Sequence, residues 1–324
     1  TEEAQEEKDP LIPEINTSVE IQAGSRVAVV SKSTSGEFWG LVKKGMEQAI
    51  ADVNEAYGFK KEDQVTMTFE GASDEKDVES QVNTIDAVIA ENPDVLCVSA
   101  SDMDSLQAQL EAAKENGIPV VAFDSGVTDS KMVRAFRGTD NTRVGEIAAY
   151  RLATAIGKMG KVAVFSAQEK TQSIQERVSG FTNYITNYPD IEVVEIVYQD
   201  QVDDMTAAMQ EVLDKYPQLD GVFCNNADIA DLYLDMKKDE TKDSIVMVGV
   251  DATAKQQEAI RNSKEVGVVS QQPYAMGYQT IWTALLTTAP KKSVEIKRNV
   301  RIDPAWIDSS NIDDPTYSSY LYVN

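Results

Sequence analysis

Two aspartates that follow short apolar segments are of the residue type that binds hydroxyl groups. Asp124 follows PVVAF and Asp251 follows VMVGV. A carboxylate forms charge-assisted hydrogen bonds and can accept from two adjacent hydroxyls at once. A lone Asp after a strand is more simply explained as the N-cap of a helix. The recurrence at matched positions instead favours recognition of a polyol rather than an anion.

Polar and aromatic residues follow the first apolar run. The segment RVAVVS ends at the polar Ser31, and Phe38 and Trp39 come shortly afterwards, where an amphipathic stretch begins. A sugar ring presents apolar C–H faces, and an aromatic face can pack against them. Either ring could instead pack back on a sheet. Phe38 and Trp39 are therefore candidate ligand contacts.

Amide and guanidinium groups stand near the ends of later apolar runs. Asn225 and Asn226 follow GVFC, and Gln271 follows VGVVS. An amide both donates and accepts hydrogen bonds, as a hydroxyl group does. Arg177 lies in QERVSGF, after KVAVFSA, where its fork of donors could hold a ring oxygen or hydroxyls. The alternative for Arg177 is a surface salt bridge.

The composition argues against several classes of function. The chain has no histidine, and Cys97 and Cys224 lie inside apolar runs, as buried cysteines do. We find no sequence motif for a metal, a phosphate or a dinucleotide, so we expect no cofactor and no enzymatic activity. Glycoside hydrolysis, which uses paired carboxylates, is the enzymatic alternative. The net charge of −24 opposes binding to nucleic acid and to anionic membrane surfaces.

These residues are positioned by an alternation of β-rich apolar runs and amphipathic stretches. The alternation begins at Ser25 and predicts βαβ units whose parallel strands are covered on both faces. The plan occurs twice, because RVAVVS is echoed by KVAVFS, and the separation of Cys97 from Cys224 equals that of Asp124 from Asp251. We therefore predict an α/β fold of two similar Rossmann-like domains with parallel sheets. The ligand cleft is expected between the domains, beyond the strand ends.

The chain is expected to pass between the domains several times, which makes a hinge. The predicted crossings are near 138–140, 271–272 and 299–301. The predicted units are a disordered acidic leader or tether at 1–24, an N-terminal lobe of 25–138 plus 272–299, and a C-terminal lobe of 139–271 plus 300–324. The leader is assigned from its many acids and two prolines. The aromatic-rich C-terminal tail is expected to pack on the body of the protein.

As a set, these segments resemble the type I periplasmic sugar-binding proteins, most closely the ribose-binding group. The resemblance covers about 25–304 and is carried by VVSKSTSGEFWGLVKKG, PVVAFDSG, the TDN at 139–141, QERVSGF, GVFCNNAD, VMVGVDAT and SQQP. It implies a type I periplasmic-binding-protein fold whose cleft closes on a pentose or hexose. The ligand contacts that it implies are Ser31, Phe38, Trp39, Asp124, Arg177, Asn226, Asp251 and Gln271.

Several positions depart from the ribose-binding pattern. Ser125 stands where an arginine usually follows the first carboxylate, and Ser99 stands where an asparagine is usual. Both serines are still expected to contact the ligand. Gly36 replaces an amide, and Gln201 and Val250 occupy positions that are often aromatic. These departures imply a roomier pocket that is less aromatic on one wall, and they argue against ribose itself.

The resemblance implies a monomeric solute-binding protein outside the cytoplasm that delivers a monosaccharide to the permease subunits of an ABC transporter. The acidic leader resembles the spacer behind a lipidated N-terminal cysteine in Gram-positive receptors, which implies a lipid anchor. One alternative is a receptor for a non-sugar polyol or a signal molecule that feeds a sensory partner. Another is the effector core of a LacI-type repressor, which the acidic leader opposes because a repressor needs a basic helix-turn-helix there.

Overall fold

The computed structural model describes residues 8–241 and 243–323. Its strands are β1 (Arg26–Ser31), β2 (Thr66–Gly71), β3 (Val95–Val98), β4 (Val120–Phe123), β5 (Ala135–Thr139), β6 (Gly160–Ser166), β7 (Ile191–Tyr198), β8 (Gly221–Cys224), β9 (Val246–Val250), β10 (Gly267–Ser270), β11 (Asn299–Ile302) and β12 (Ala305–Asp308). Its α-helices are α1 (Glu37–Tyr57), α2 (Val78–Ala90), α3 (Gln107–Glu115), α4 (Asn141–Ala155), α5 (Gln172–Ile185), α6 (Met205–Lys215), α7 (Ala227–Met236), α8 (Ala254–Arg261) and α9 (Pro273–Leu286). Within the described ranges, no helix has the length and apolar character needed to cross a membrane.

The strands form two sheets with the same internal order. One sheet runs β11-β5-β4-β3-β1-β2, and the other runs β12-β10-β9-β8-β6-β7. Neighbouring strands are parallel, except that β12 is antiparallel to β10. The apolar runs VLCV, VVAF, GVFC and GVVS are buried along their whole length, as is typical of strands covered by helices on both faces. The predicted α/β fold of two similar lobes is therefore confirmed.

The lobes are joined by three short crossings in the part of the chain that the structure describes. The first-lobe strand β5 ends at Thr139, and the second-lobe helix α4 begins at Asn141. Gln271 and Gln272 connect β10 of the second lobe to α9, which packs on α1 of the first. The third crossing joins β11 to β12 through residues 303–304.

The predicted boundary between residues 299 and 300 is wrong. Residues 299–302 form β11, and they pair in parallel with residues 136–139 of the first-lobe strand β5. The first lobe therefore ends at Thr139 before the first crossing, and its last segment continues to Ile302. A short edge strand such as NVRI carries no pattern that tells which of two similar sheets it joins, so only the pairing assigns it.

Both ends of the described chain pack on the lobes. The prediction of a disordered leader is wrong for residues 8–24, because Val19 and Ile21 are buried in the first lobe's core and Tyr57 Oη donates to the Val19 carbonyl at 2.6 Å. The apolar residues there are interspersed with acids, which hides them in the average composition. Residues 1–7 of the predicted leader lie outside the described residues. At the other end, Ile312 of the tail is buried on the second lobe.

Glycines allow the helices that reach the cleft to pack closely on their neighbours. Gly45 of α1 faces α9, where a Cβ atom would lie 2.0 Å from the Tyr274 carbonyl oxygen. Gly145 of α4 faces α5 in the same way, and its Cβ would lie 2.2 Å from the Arg177 carbonyl oxygen. Since α1 carries both predicted aromatic contacts and α5 carries Arg177, these close contacts help to fix the start of each site-bearing helix.

Gly45→Ala is expected to lower the free energy of unfolding by about 1–3 kcal/mol, because the added methyl group meets backbone atoms and the two helices must separate. Gly40→Ala on the same helix is the matched control. Gly40 is exposed and has open space around it, so alanine there is expected to be neutral or to stabilise by up to about 1 kcal/mol. Urea denaturation measures both effects. Equal stabilities of the two variants would contradict the close contact between α1 and α9.

Candidate functional site

A cavity lies in the cleft between the two lobes, at the carboxyl ends of the strands. Its volume is about 130 Å³, and its walls include residues that follow β1, β4, β8, β9 and β10. This is where ligands bind in open α/β sheets. The predicted contacts that line the cavity are Phe38, Trp39, Asp124, Arg177, Asn226, Asp251 and Gln271. The structure therefore brings these side chains together from distant parts of the chain.

Asp124 and Asp251 occupy equivalent positions and share an unusual backbone conformation. They follow the equivalent strands β4 and β9, and their φ angles are 60° and 78°, in the left-handed region. This conformation is strained for a residue with a side chain and occurs often at functional sites. The N–H of Asp124 donates to the Arg137 carbonyl at 2.9 Å, and that of Asp251 donates to the Val269 carbonyl at 3.0 Å. Asp251 is not the N-cap of α8, because Thr253 takes that position.

Three first-lobe groups surround Asp124 Oδ2. Ser99 Oγ donates to it at 2.7 Å, Ser125 Oγ donates at 3.0 Å, and Lys32 Nζ lies 3.0 Å away. Ser99 and Ser125 are fully buried and are not part of the cavity wall. The two serines, which are predicted ligand contacts, therefore lie off the cavity wall in this structure. They hold the carboxylate that faces the cavity.

Lys32, and not Ser31, is the residue after β1 that reaches the cavity. Ser31 is buried, and its hydroxyl donates to the Ser33 carbonyl at 2.7 Å. Lys32 Nζ lies 3.0 Å from Asp124 and 3.9 Å from Glu75. Burial acts to lower the pKa of Lys32, but the charges of Asp124 and Glu75 outweigh it, and the pKa is raised. Sequence reasoning missed Lys32 because KSTSGE reads as a polar loop. Its position directly after a buried strand was the available signal.

The two aromatic side chains are fixed at the start of α1. Phe38 and Trp39 meet edge to face, with ring centroids 4.9 Å apart and an interplanar angle of 85°. Trp39 Nε1 donates to Glu75 Oε1 at 2.8 Å, and Lys32 Nζ lies 5.8 Å from the Trp39 ring centroid. Both rings are buried in the first lobe's core, and both also line the cavity. Phe38 and Trp39 therefore pack on the core of the first lobe and also form part of the cavity wall.

Arg177 and Asn226 bring hydrogen-bond donors from the second lobe. Arg177 is buried, its Nε donates to Asn141 Oδ1 at 2.9 Å, and its Nη1 donates to the Asn225 carbonyl at 2.9 Å. This environment rules out the surface salt bridge. Asn226 Oδ1 accepts from the Ile229 N–H at 2.9 Å and caps α7. The amide NH₂ of Asn226 is then left to donate elsewhere.

Asp251 is held by groups from three separate parts of the chain. Gln271 Nε2, at the second crossing, donates to Oδ1 at 2.7 Å, while Gln271 Oε1 accepts from Thr139 Oγ1 at 2.7 Å. The N–H of Ala227, at the start of α7, donates to Oδ2 at 2.9 Å. Tyr322 Oη, from the C-terminal tail, donates to Oδ1 at 2.6 Å. Sequence reasoning missed Tyr322, and no local pattern signals it.

Two further carboxylates, Asp228 and Asp231 of α7, line the second-lobe wall. Burial of the group and the nearby charge of Glu75 raise the pKa of Asp228 above its ordinary value. Burial also raises the pKa of Asp231 to about 6, although the hydrogen bond from Thr253 opposes it. The wall therefore loses negative charge at mildly acidic pH. Within residues 8–241 and 243–323, no group of three or more Cys, Asp or Glu side chains is arranged to hold a metal ion.

The lobes touch each other within the cleft, so the structure shows a closed arrangement. The hydroxyls of Ser125 in the first lobe and Ser173 in the second lie 2.8 Å apart. Glu37 at the start of α1 accepts from the Ala254 N–H, at the start of α8, with a distance of 2.9 Å. These contacts narrow the access to the cavity from solvent.

The sequence is similar to a family of binding proteins and to several of its characterised members. A family model described as a periplasmic binding protein domain matches residues 27–289. The ribose import binding protein RbsB of Bacillus subtilis is 27% identical over 203 residues, which are 63% of this chain and 66% of that protein. The D-ribose/D-allose-binding protein of Pseudomonas aeruginosa is 26% identical over 216 residues, which are 63% of each chain. The matched part therefore spans slightly less than two thirds of these curated relatives.

Solved structures are similar over almost the whole chain. A solute-binding protein of an ABC transporter from Agrobacterium vitis, with bound D-fucose, has a TM-score of 0.83 and 28% identity, and the match covers 92% of this chain and 100% of that one. A carbohydrate transporter solute-binding protein from Agrobacterium radiobacter, in complex with D-arabinose, has a TM-score of 0.82 and 28% identity, with 92% and 99% covered.

Asp231→Asn is expected to raise the free energy of unfolding by roughly 2–3 kcal/mol at pH 7.5 and to have little effect near pH 4. The raised pKa means that the folded protein binds this proton more tightly than the unfolded chain does. The associated stability is present at low pH and is lost as the pH rises through about 6. Asn removes the charge and keeps an acceptor for Thr253. Chemical denaturation at several pH values measures the difference.

Asp235→Asn, one turn further along α7, is the control for that measurement. Asp235 is exposed and pairs with Lys255, so its replacement is expected to change stability by less than about 1 kcal/mol, with little dependence on pH. A stability of Asp231→Asn equal to that of the parent at pH 7.5 would contradict the raised pKa of Asp231.

Proposed function

Because this chain belongs to the periplasmic binding protein family, we propose that it is the solute-binding protein of an ABC importer and that it binds one monosaccharide, a pentose or a hexose, in the cleft between its lobes. The observation that carries the proposal is the cavity itself. It lies at the carboxylates of both Asp124 and Asp251, and its walls also include an arginine, two amide side chains and an aromatic pair.

The volume of the cavity supports a ligand of monosaccharide size. A cavity of about 150 Å³ holds one benzene-sized ring, and the volume here is about 130 Å³. The cavity is therefore of the size of a single small ring. An oligosaccharide would need a longer groove or an opening between the lobes.

The polar groups on the walls suit a ring of hydroxyls. Asp124 and Asp251 offer acceptors, Asn226 offers its NH₂ group, and Arg177 commits two of its five donors to the protein contacts described above. Six carboxylates and two cationic groups line the cavity, which opposes an anionic ligand, and the donors and acceptors on the walls suit an uncharged ligand with many hydroxyls. Phe38 and Trp39 provide apolar surface for the C–H face of a sugar ring.

We propose that the two carboxylates bind and do not catalyse. A glycosidase needs one carboxyl group to give a proton and the other to attack or to activate water. Here Asp124 is paired with Lys32, and Asp251 already accepts from Gln271, Tyr322 and the Ala227 N–H. Both groups are thus engaged as hydrogen-bond acceptors, the role that recognition of hydroxyls requires.

The three crossings support a mechanism of hinge closure. The sugar first contacts Asp124 and the aromatic pair on the first lobe, and the second lobe then closes and adds Arg177 and Asp251. A ligand favours the closed state only as far as it binds that state better, so the second-lobe contacts supply the bias. Gln271 connects Thr139 of the first crossing to Asp251. Hydrogen bonds through Gln271 therefore link the hinge directly to the Asp251 carboxylate in the cavity wall.

The similar proteins support the same class of ligand. The two curated relatives are named for ribose and allose, and the two solved structures contain fucose and arabinose. All four are uncharged monosaccharides. On the same basis we propose that this chain works outside the cytoplasm as a monomer and passes its ligand to the permease of an ABC transporter.

A thermal-shift panel of millimolar pentoses, hexoses, cyclic polyols and disaccharides tests the proposal. A ligand present at about 1,000 times its Kd adds about 4 kcal/mol of stability, and each kcal/mol shifts Tm by roughly 2–4 °C in a protein of this size. We expect one or a few monosaccharides to raise Tm by several degrees. A flat response to every monosaccharide, from protein shown to be folded and free of retained sugar, would contradict the proposal.

Titration calorimetry of Arg177→Ala with the sugar that gives the largest shift tests the site. Loss of charged hydrogen bonds is expected to weaken binding about 10- to 100-fold. Arg143→Ala is the matched control, because Arg143 is exposed and its only ion pair among the described residues is with Glu146 on the same helix. An unchanged affinity of Arg177→Ala would show that the sugar does not bind at this wall of the cleft.

A further inference from the structure

The C-terminal tail, residues 309–323, runs over the second lobe and reaches the hinge. Gln272 Nε2, at the second crossing, donates to Ser319 Oγ at 3.0 Å. Further along, the N–H of Tyr322 donates to the Ala252 carbonyl at 3.0 Å, and Gln257 Nε2 donates to the Tyr322 carbonyl at 2.8 Å. These two hydrogen bonds, which both involve backbone groups of Tyr322, fix it beside Ala252, the residue that follows Asp251.

Tyr322 connects the second-lobe tail to the first lobe. Its side chain is 1% exposed and belongs to the apolar cluster of the first lobe, where its ring centroid lies 6.1 Å from that of Phe38. Its hydroxyl donates to Asp251 Oδ1 at 2.6 Å. Burial and the charge of Asp251 raise the pKa of Tyr322, which keeps the phenol a donor at neutral pH. One side chain thus touches an aromatic residue of one cavity wall and the carboxylate of the other.

The hydrogen bonds leave Asp251 with few free acceptor positions. A carboxylate has about four lone-pair sites on its two oxygens. Gln271 and Tyr322 occupy Oδ1, and the Ala227 N–H occupies one site on Oδ2. About one site, on Oδ2, then remains for a ligand hydroxyl. This outcome differs from the sequence-based expectation that Asp251 accepts from two adjacent hydroxyls.

Asp124 has the opposite arrangement. Within the described part of the chain, its hydrogen bonds and ion pair with side chains all involve Oδ2, through Ser99, Ser125 and Lys32. Oδ1 therefore keeps both of its lone-pair sites. Although the two aspartates match in position and backbone, their surroundings leave them with different acceptor patterns.

We propose that Tyr322 is a positioning residue for ligand recognition: it orients Asp251 and limits this carboxylate to a single ligand hydroxyl, while Asp124 accepts from two. The inference rests on the proposed function, because it assigns acceptor positions within the same cleft. It makes the C-terminal tail a part of the sugar site, although Tyr322 itself lies behind the cavity wall. The residue acts through Asp251 and not by touching the sugar.

Titration calorimetry with D-ribose, D-arabinose, D-fucose and D-tagatose tests this inference on the full chain. The wild-type protein identifies the tightest of the four sugars, which is then used for every variant. Tyr322→Phe keeps the ring that packs on Phe38 and removes only the donor to Asp251. We expect its Kd for that sugar to rise about tenfold, the loss typical of a hydrogen bond to a charged group. Tyr317→Phe is the control: Tyr317 lies on the same tail, with its ring tilted by 46° and 6.3 Å from that of Tyr320, and its replacement is expected to leave Kd unchanged within about twofold.

A double-mutant cycle separates positioning from a structural role of the tail. In an Asp251→Asn background the acceptor is neutral and its hydrogen bond is weaker, so Tyr322→Phe is expected to raise Kd less than about threefold. Thermal unfolding of each variant confirms that it is folded. A tenfold loss in both backgrounds, or no loss in the wild-type background, would overturn the inference while the proposed function stands. Failure of the wild-type protein to bind any of the four sugars would count against the proposed function and against the inference that rests on it.

Discussion

The structure depends on holding two carboxylates away from bulk water at the ends of equivalent strands. Burying such groups is costly unless hydrogen bonds or opposite charges compensate. For Asp124 the compensation comes from a lysine and two serines of the first lobe. For Asp251 it comes from the hinge through Gln271, from the first N–H of a helix, and from the tail through Tyr322. The hinge and the tail thus each supply a hydrogen-bond donor that compensates the buried charge of Asp251.

The two lobes share a backbone plan and differ in the chemistry of their walls. In the first lobe, Lys32 and Glu75 join Trp39 and Asp124 in one connected group, and all the side chains that contact Asp124 belong to that lobe, although the hydroxyl of one of them, Ser125, lies 2.8 Å from that of Ser173 in the second lobe. In the second lobe, the network around Asp251 extends to Thr139 of the first crossing. Relative motion of the lobes would strain the second network more than the first. We infer that the first lobe offers a preformed surface, whereas the second-lobe contacts reach their full geometry only on closure.

Sequence reasoning reached the fold because parallel strands buried on both faces leave continuous apolar runs, and the duplicated runs also located Asp124 and Asp251. It could tell that a residue follows a strand, but not which way its side chain points. Ser99 and Ser125 were therefore placed in contact with ligand, whereas they lie behind Asp124, and Lys32 was overlooked. Tyr322 could not be found, because its contact with Asp251 spans 71 residues and leaves no periodic pattern. The packed apolar residues of 8–24 were hidden by the acids around them.

We expect one monosaccharide to lie between the two strand-end carboxylates in the closed protein. A crystal structure with the sugar that stabilises the protein most tests it directly. The expected result is a single sugar ring that contacts Phe38 or Trp39, with ring hydroxyls at about 2.5–3.0 Å from Asp124 Oδ1 and from Asp251 Oδ2. A sugar bound elsewhere, or one held by a single lobe with the cleft open and the other carboxylate free of contact, would contradict it.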